Sequence, residues 1–317
     1  MTETTRGAGE LRPKLRLGTR NSPLAMAQAF ETRERLCKAH GWAEGEVELV
    51  PVVASGDKVL DRPLAEIGGK ALWTKELDAW LAEGKIDVAV HSAKDVETIR
   101  PDAFRFAAFL PRADRRDALV GAASIADIPR GATVGTSAPR RASQLLNLRP
   151  DCKVVTFRGN VATRLGKLEA GEADVTFLAA AGLERLGQSE VGAPLETGDW
   201  IPAAAQGVIA LECRADDDEA GELLAAIDHA ATRAELEAER ALLAKLGGTC
   251  HSPVAVLCSG DAGELTMRAA LFSPDGSERV DGEASFSAGD HAPVHALAAD
   301  LLHRATPAIA EHFGGEG

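Results

Sequence analysis

The sequence predicts an α/β protein built from two similar lobes, followed by a smaller α+β domain. Short strand-like runs alternate with helical stretches from residue 15 onward, and the same alternation begins again near residue 133. Such alternation is typical of parallel sheets with helices on both faces. The length of 317 residues gives a prior of two or three domains and is sufficient for several buried cores.

The first round begins with a strand at residues 15–19 and a helix capped by Ser22, with Pro23 at its first position. This helix is expected to end at His40-Gly41. The remaining expected elements are a strand at 47–53, in which Pro51 indicates a sheet edge or a bulge, a helix with Leu72, Leu77 and Leu81 on one face, and a strand at 86–90. That last strand delivers residues 91–95 at its carboxyl end, where open α/β sheets place their ligand sites.

The second round repeats this pattern. It comprises a strand end at 133–135, a helix opened by Ser137 and Pro139 and running through Leu148, a strand at 153–157, a helix at 161–170 and a strand at 174–179.

The C-terminal third has a different character. Residues 212–240 contain ten acidic and three basic side chains and are expected to include a surface linker. Thr232 with Glu235 three residues later predicts a capping box at the start of a helix that Gly247-Gly248 ends. Short strands from residue 254 and a final helix over about 292–313 complete the α+β domain.

Composition excludes several classes of protein. Apolar residues make up 45% and charged residues 26%, which is ordinary for a globular protein, and no apolar run is long enough for a membrane span. The polar segment 1–10 lacks the apolar core of a secretory signal, so residues 1–13 are interpreted as a disordered tail. Five cysteines without a CxxC pair argue against disulfides and zinc and favour a reducing cytoplasm. No metal is expected.

The charge distribution points to an anion site. The formal net charge of −13 disfavours nucleic acid and anionic membranes as partners. Residues 136–168, however, carry seven basic side chains and one acidic side chain. Arginine forks suit carboxylate or phosphate groups, whereas a solvated helix face is the simpler alternative.

Several polar loops fall at predicted strand ends and just before helices. They are residues 19–22, 91–95, 136–137 and 158–160. Free N–H groups at helix starts bind anions, and neighbouring arginines add charge-assisted contacts. Together these loops could hold several carboxylates, although each alone is also typical of a plain helix cap.

A set of ordered motifs resembles the porphobilinogen deaminase, or hydroxymethylbilane synthase, family. The motifs are GTRNSPLAMAQ, GGKALWTKEL, VAVHSAKDV, VGTSAPRRASQL, RGNVATRL, AAQGVIALECR and GGTCHSP. The resemblance covers residues 14 to about 313. The resemblance implies two periplasmic-binding-protein-like (type II) lobes with mixed, mostly parallel sheets and a small C-terminal α+β domain. The implied limits are 14–110 with 209–228 for the first lobe, 111–208 for the second and 229–317 for the C-terminal domain.

The resemblance also implies a reaction and a cofactor. The family condenses four porphobilinogen units head to tail with release of ammonia and then hydrolyses the product to hydroxymethylbilane, in tetrapyrrole (porphyrin and heme) biosynthesis. It builds on a dipyrromethane primer, here expected on Cys250 through a thioether. A flexible loop after Gly247-Gly248 suits such a tether, whereas a lone cysteine is more often a small buried hydrophobe. Four other cysteines are expected to be structural: Cys37, Cys152, Cys213 and Cys258.

Asp95 resembles the family's catalytic carboxylate. Loss of ammonia from porphobilinogen gives an electron-poor azafulvene, and attack by a pyrrole places positive charge on a ring nitrogen. A fixed carboxylate that accepts the ring N–H bonds opposes this charge. Lys94 and Arg20 are implied as its catalytic partners, with Arg20 nearest the departing amine. The alternative is that Asp95 merely caps the next turn.

The resemblance assigns the carboxylate-binding residues as well. The implied cofactor-binding residues are Cys250, Ser22, Lys94, Asp95, Thr136, Ser137, Arg140, Arg141, Arg158 and Gly159. The implied substrate-binding residues are Arg20, Gln28, Arg158, Arg164, Arg185, Asp57 and Lys70. Arg149 and Lys153 match no family contact.

Four departures from the family pattern affect substrate contacts more than the reaction. They are Glu66 in place of a basic residue, Trp73 in place of Phe, Ala138-Pro139 in place of Ser-Leu, and Gly-Thr-Cys in place of Gly-Gly-Cys at Cys250.

Two other functions fit part of the sequence. An anion-binding solute receptor explains the arginines but neither Cys250 nor the cytoplasmic character. A cysteine hydrolase using Cys250 and His251 is disfavoured, because sequence neighbours seldom have the geometry of a nucleophile and its base. The expected partner is porphobilinogen, bound by a monomer with no nucleic acid and no membrane.

Overall fold

The computed structural model describes residues 13–52, 74–248, 251–261 and 263–314. Its strands are β1 (Leu15–Arg20), β2 (Val47–Val52), β3 (Val88–Ser92), β4 (Phe104–Phe109), β5 (Asp117–Val120), β6 (Thr133–Gly135), β7 (Lys153–Val155), β8 (Val175–Ala179), β9 (Ala193–Pro194), β10 (Ile209–Arg214), β11 (Val254–Asp261), β12 (Glu264–Phe272) and β13 (Arg279–Ser287). Its helices are α1 (Pro23–His40), α2 (Lys75–Ala82), α3 (Pro139–Leu148), α4 (Val161–Glu169), α5 (Ala180–Arg185), α6 (Asp218–Ala225), α7 (Ala230–Leu246), α8 (Ala292–Arg304) and α9 (Pro307–Ala310).

Two five-stranded sheets form the two predicted lobes and share one topology. The first has the order β2-β1-β3-β10-β4 and the second β7-β6-β8-β5-β9. In each, the first two neighbouring pairs are parallel and the last two antiparallel. The sheets are therefore mixed, as predicted, with parallel and antiparallel pairs equal in number among the described strands. In each sheet, the chain arrives from the other lobe through one strand, β10 in the first sheet and β5 in the second. This strand lies antiparallel to its neighbour β3 or β8.

Local signals explain where the elements begin and end. Ser22 Oγ accepts the Ala25 amide at 3.3 Å, Pro23 occupies the first turn of α1, and Gly41 ends it at a φ of 67°. Because the left-handed region suits glycine, α1 stops where predicted. Strand β2 lies at the edge of its sheet, which tolerates the missing N–H of Pro51. Helix α3 starts at Pro139 as expected.

The C-terminal domain has its own core. Strands β11, β12 and β13 form an antiparallel sheet against which α7 and α8 pack. Leu242, Met267 and Leu301 are among the side chains buried between these layers. The strands of all three sheets fall inside the predicted domain segments, whose exact limits stay a prediction.

Buried ion pairs join this domain to the two crossovers between the lobes: the outgoing crossover, residues 110–116 between β4 and β5, and the returning crossover, residues 195–208 between β9 and β10. Glu239 on α7 is fully buried and faces Arg112, with Oε1 3.0 Å from Nη1 and Oε2 3.1 Å from Nη2. It also accepts the backbone amides of Ala205 at 2.6 Å and Cys258 at 3.1 Å. One carboxylate therefore binds the outgoing crossover, the returning crossover and strand β11.

One prediction in this region is wrong. Helix α7 begins at Ala230, where the His229 side chain accepts the Thr232 amide at 3.2 Å, so Thr232 lies inside the first turn. Its hydroxyl instead accepts the Arg112 amide at 3.0 Å, a tertiary contact that replaces the predicted capping box. The acidic stretch also contains buried charge, because Glu212 is fully buried in β10 beside Arg100.

The predicted final helix is in fact two helices. Helix α8 ends at Arg304 and α9 begins at Pro307. Proline lacks an N–H and disfavours helical geometry in the residue before it, here Thr306 in an extended conformation. No helix in the described residues is long and apolar enough to cross a membrane.

Several predictions lie outside the described residues. They concern residues 1–12 of the tail, Asp57, Glu66, Lys70, Leu72, Trp73 and Cys250.

Removing the Glu239 carboxylate should destabilise the fold strongly. We expect Glu239→Ala to lower the free energy of unfolding by about 3–5 kcal/mol, because the buried Arg112 guanidinium loses its two-pronged partner and keeps only Glu235, and the Ala205 and Cys258 amides lose their acceptor. The control is Glu237→Ala on the same helix, whose half-exposed carboxylate pairs with Arg233 and contributes under about 1 kcal/mol. Denaturant titrations of both variants measure the difference, and similar small losses in the two would contradict the prediction.

Candidate functional site

The predicted site residues follow the carboxyl ends of parallel strands in both lobes. Arg20 ends β1, and a 3-10 turn at Ala93–Asp95 follows β3 beside it. In the second lobe, residues 136–137 follow β6 and residues 158–160 follow β7. Parallel neighbours bring their carboxyl ends to one edge, so each lobe presents one polar edge.

Contacts between the lobes show that these two edges face each other. Lys94 Nζ of the first lobe lies 3.4 Å from Gln206 Oε1 on the returning crossover. Arg185 of α5 donates from Nε to Glu31 Oε2 of α1 at 3.2 Å. Burial lowers the pKa of Arg164, and the Asp95 carboxylate across the cleft is close enough to oppose this shift.

A single buried carboxylate organises the second lobe's side of the cleft. Asp117, fully buried at the start of β5, accepts from Arg140 Nη2 at 2.7 Å and from Arg141 Nη2 at 2.6 Å. It also accepts from Trp200 Nε1 at 2.7 Å and Gln206 Nε2 at 2.9 Å. Burial alone would raise the pKa of Asp117, but the two guanidinium groups hold it well below its usual range.

Arg140 and Arg141 are therefore buried rather than free to swing. Each is about 5% exposed, and each also donates to a backbone carbonyl, Arg140 to Ile201 at 3.0 Å and Arg141 to Phe177 at 3.0 Å. Two guanidinium groups share one carboxylate, which leaves a net positive charge beneath the cleft surface.

The charge of the two buried arginines also affects the pKa of Lys94. The pKa of Lys94 is lowered to about 8: burial is the largest cause, Arg141 and Arg140 also lower it, and Asp95 and Asp117 oppose the shift. Anions that bind beside Lys94 would favour its charged ammonium form.

The loop before α4 adds two more arginines. Asn160 caps the helix by accepting the Thr163 amide at 2.9 Å, and Arg164 Nε donates to the Gly159 carbonyl at 2.9 Å. Gly159 has a φ of 109°, and a Cβ there would lie 2.6 Å from Thr163, so glycine is required. Burial lowers the pKa of Arg164 to about 10, with Arg141 and Arg158 contributing repulsion.

One buried donor in the loop before α4 has no hydrogen-bond partner among the described residues. Arg158 Nη1 is buried, and no described residue offers it a hydrogen-bond acceptor. A buried guanidinium N–H without an acceptor is costly. Bound carboxylate groups would satisfy it, so the donors on this side of the cleft fit an anionic cofactor such as a dipyrromethane that carries acidic side chains.

Asp95 itself is exposed to the cleft. Its turn is held by the Val96 amide, which donates to the Ala93 carbonyl at 3.3 Å. The carboxylate is thus held on a short rigid turn, available to a ligand, opposite Arg164.

The other predicted residues lie in the same region but are engaged locally. Gln28 and Ser92 exchange hydrogen bonds at 2.8 and 3.2 Å, and Ser22 caps α1. Thr136 Oγ1 accepts the Ala138 amide at 3.2 Å, while Ser137 is exposed.

Sequence reasoning missed Asp117, Trp200 and Gln206. The available signal was a lone aspartate opening an apolar strand, DALV, in a chain with two adjacent arginines that require a buried partner. No group of three His, Cys, Asp or Glu side chains in the described segments is arranged to hold a metal ion.

Two lobes that enclose a cation-rich cleft, with the exposed Asp95 carboxylate at its edge, are suited to a polyanionic small molecule and to the stabilisation of positive charge. A family profile described as "Porphobilinogen deaminase, dipyromethane cofactor binding domain" matches residues 15–222, and one described as "Porphobilinogen deaminase, C-terminal domain" matches residues 234–298. The chain belongs to the porphobilinogen deaminase family.

Curated relatives agree over nearly the full length. A porphobilinogen deaminase of Sphingopyxis alaskensis is 55% identical over 305 residues, covering 94% of this chain and 96% of the relative. A porphobilinogen deaminase of Paracoccus denitrificans is 48% identical over 297 residues, covering 93% and 95%.

Asp117→Asn should weaken the protein at neutral pH. We expect a loss of about 3–5 kcal/mol in unfolding free energy, because two buried guanidinium groups lose their counter-charge. The control is Asp114→Asn on the same crossover, whose partly exposed carboxylate pairs with Arg116 and contributes under about 1 kcal/mol.

The same variant should change the response to acid. The folded-state pKa of Asp117 lies below its unfolded value, so its stabilising effect is present above about pH 4 and is lost as the pH falls. The difference between wild type and Asp117→Asn should narrow by about 1.4 kcal/mol per pH unit below pH 4. Urea midpoints measured from pH 7 to pH 2.5 test this, and a constant difference would contradict it.

Proposed function

We propose that this protein is a transferase of tetrapyrrole biosynthesis that joins four porphobilinogen units head to tail, releases ammonia at each addition and hydrolyses the product to hydroxymethylbilane. The observation that carries the proposal is the exposed Asp95 carboxylate opposite buried, positively charged donors in a chain of this family. Porphobilinogen carries an acetate and a propionate, so the cation-rich cleft suits it and its oligomers.

The cofactor is proposed to be held by the second lobe. Arg140, Arg141 and Arg158 supply positive charge and N–H donors for its carboxylates, and Gly159, Thr136 and Ser137 line the same edge. When bound, dipyrromethane supplies the terminal pyrrole carbon to which the first substrate ring is joined. Ser22 and Lys94 face it from the first lobe.

Asp95 is proposed as the catalytic carboxylate. Fixed at the end of β3, it accepts pyrrole N–H bonds and opposes positive charge that develops on the ring nitrogen. Lys94 neighbours it and carries its proton when carboxylates bind nearby. Arg20, at the end of the adjacent strand β1, is proposed to act on the departing amine.

Substrate carboxylates are proposed to bind at the mouth of the cleft. Arg158 and Arg164 come from the α4 loop, Arg185 from α5 and Gln28 from α1. Asp57 and Lys70 are proposed as further contacts on sequence grounds alone.

Cys250 is proposed as the cofactor attachment point, since it follows Gly247-Gly248 in the family motif. Cys152, Cys213 and Cys258 are buried and Cys37 is half-buried, which suits their structural assignment. We further propose a cytoplasmic monomer that acts without nucleic acid or membrane. The solute-receptor alternative is disfavoured by the family assignment.

Intact mass spectrometry should show a covalent adduct. We expect purified protein to be heavier than its chain by two linked pyrrole units and to convert porphobilinogen with release of ammonia. Cys250→Ser should lose both the adduct and turnover, whereas Cys37→Ser should keep both. A chain-only mass, together with no turnover after reconstitution with porphobilinogen, would refute the proposed function.

Substitution of Asp95 should stop turnover without unfolding the protein. We expect Asp95→Asn to reduce kcat by about 10²–10⁴-fold, because the amide keeps the shape but cannot oppose the developing charge. Asp102→Asn, on the exposed loop just beyond, should stay within about twofold of wild type. Turnover near the wild-type rate in Asp95→Asn holoenzyme would remove Asp95 from this role.

A further inference from the structure

Helix α7 carries two arginines that bind the first lobe in closely similar ways. Arg233 and Arg240 are seven residues apart, which places them on the same helical face two turns from each other. The Arg233 guanidinium lies 4.8 Å from the centre of the Phe109 ring and that of Arg240 lies 4.9 Å from the Phe106 ring. Both phenylalanines belong to β4, so each arginine forms a cation–π contact with the same strand.

The hydrogen bonds of the two arginines differ. Arg233 Nη2 donates to the Ala107 carbonyl within β4 at 2.9 Å and pairs with Asp228. Arg240 Nη2 instead donates to the carbonyls of Glu97 and Thr98, both at 2.7 Å. These carbonyls come two and three residues after Asp95.

The segment behind Asp95 is therefore held from two sides. Arg100 pairs with the Glu97 side chain at 2.6 Å and with the buried Glu212 of β10 at 2.8 Å, which fixes the segment to its own lobe. Arg240 fixes its backbone to α7, and Thr98 Oγ1 makes a longer contact, 3.5 Å, with the Gly248 carbonyl after that helix. Helix α7 ends at Leu246, four residues before Cys250 in the sequence.

The Arg240 site is desolvated. Burial lowers the pKa of Arg240 to about 10. Arg240 Nη2 donates to both carbonyls while its planar guanidinium lies over the Phe106 ring. Lysine is shorter and carries a compact ammonium on a flexible stem, so it does not combine this reach with the planar contact to Phe106.

We propose that Arg240 is a positioning residue for catalysis, which fixes the backbone behind Asp95 against the helix that leads to Cys250. This inference rests on the proposed function. Arg240 touches no substrate; it acts by holding the Asp95 turn, and small displacements of such a turn cost far more rate than stability.

The test is Arg240→Lys in holoenzyme, with turnover counted per molecule that carries the adduct by intact mass. We expect kcat to fall about 10- to 100-fold with KM for porphobilinogen within about threefold, because the carboxylate-binding arginines are unchanged. Mass spectra taken after mixing with limiting substrate should show correspondingly slower loss of the starting holoenzyme.

Arg233→Lys is the matched control. It removes a guanidinium from the same helix and weakens an equivalent cation–π contact and an equivalent contact with the first lobe, both away from Asp95. We expect both variants to lose similar thermal stability, and Arg233→Lys to keep kcat within about twofold of wild type. Equal loss of kcat in the two variants, or wild-type kcat in Arg240→Lys, would overturn the proposal.

A second pair covers failure of Arg240→Lys to fold. Phe106→Leu removes the ring beneath Arg240 and should lower kcat several-fold, while Phe109→Leu, beneath Arg233, should lower stability at least as much and leave kcat near wild type. The reverse order would overturn the proposal. Absence of adduct and turnover in wild type would refute the proposed function instead, so the two failures are distinguishable.

Discussion

The buried Asp117 carboxylate is the constraint on which the cleft depends. It sits where the chain enters the second lobe, and it binds two arginines of α3 together with Trp200 and Gln206 near the returning crossover. A buried charge without partners is costly, so these four side chains must assemble together. The same carboxylate therefore ties both crossovers to the floor of the cleft.

This arrangement explains how an acidic protein keeps a cationic cleft. The chain has a net charge of −13, yet two of its buried carboxylates are paired away from the cleft: Glu212 with Arg100 and His91 inside the first lobe, and Glu239 with Arg112 at the C-terminal domain. Burial raises the pKa of Glu212, but His91 and Arg100 outweigh this and lower it to about 2. Lys94, Arg158 and Arg164 then face the cleft, with Asp95 as their acidic neighbour there. Their positive charge is not cancelled by the protein's other carboxylates and attracts the carboxylates of a ligand.

In the described residues, the C-terminal domain contributes contacts that hold the two lobes in place. Its helix α7 contacts both crossovers through Glu239 and the first lobe through Arg233 and Arg240. Because α7 makes all of these contacts, displacement of the domain would strain the lobe connections and the Asp95 turn together. Helix α7 therefore fixes the backbone behind Asp95 to the segment that leads toward Cys250, the attachment point in the proposed function.

The sequence by itself determined the family of the chain and where several of its helices begin. Helix starts are predictable because capping side chains and the fixed φ angle of proline act within a few residues. Examples are Ser22 with Pro23, Pro139 and Asn160. The motifs around Asp95 and Arg140-Arg141 likewise indicated the cationic cleft. Only the tertiary structure decided which polar groups are paired. Asp117 binds Arg140, 23 residues away in the sequence, and Gln206, 89 residues away. The Thr232 hydroxyl accepts the Arg112 amide instead of capping its own helix. Such pairings depend on where the crossovers bring distant segments together, which no local pattern encodes.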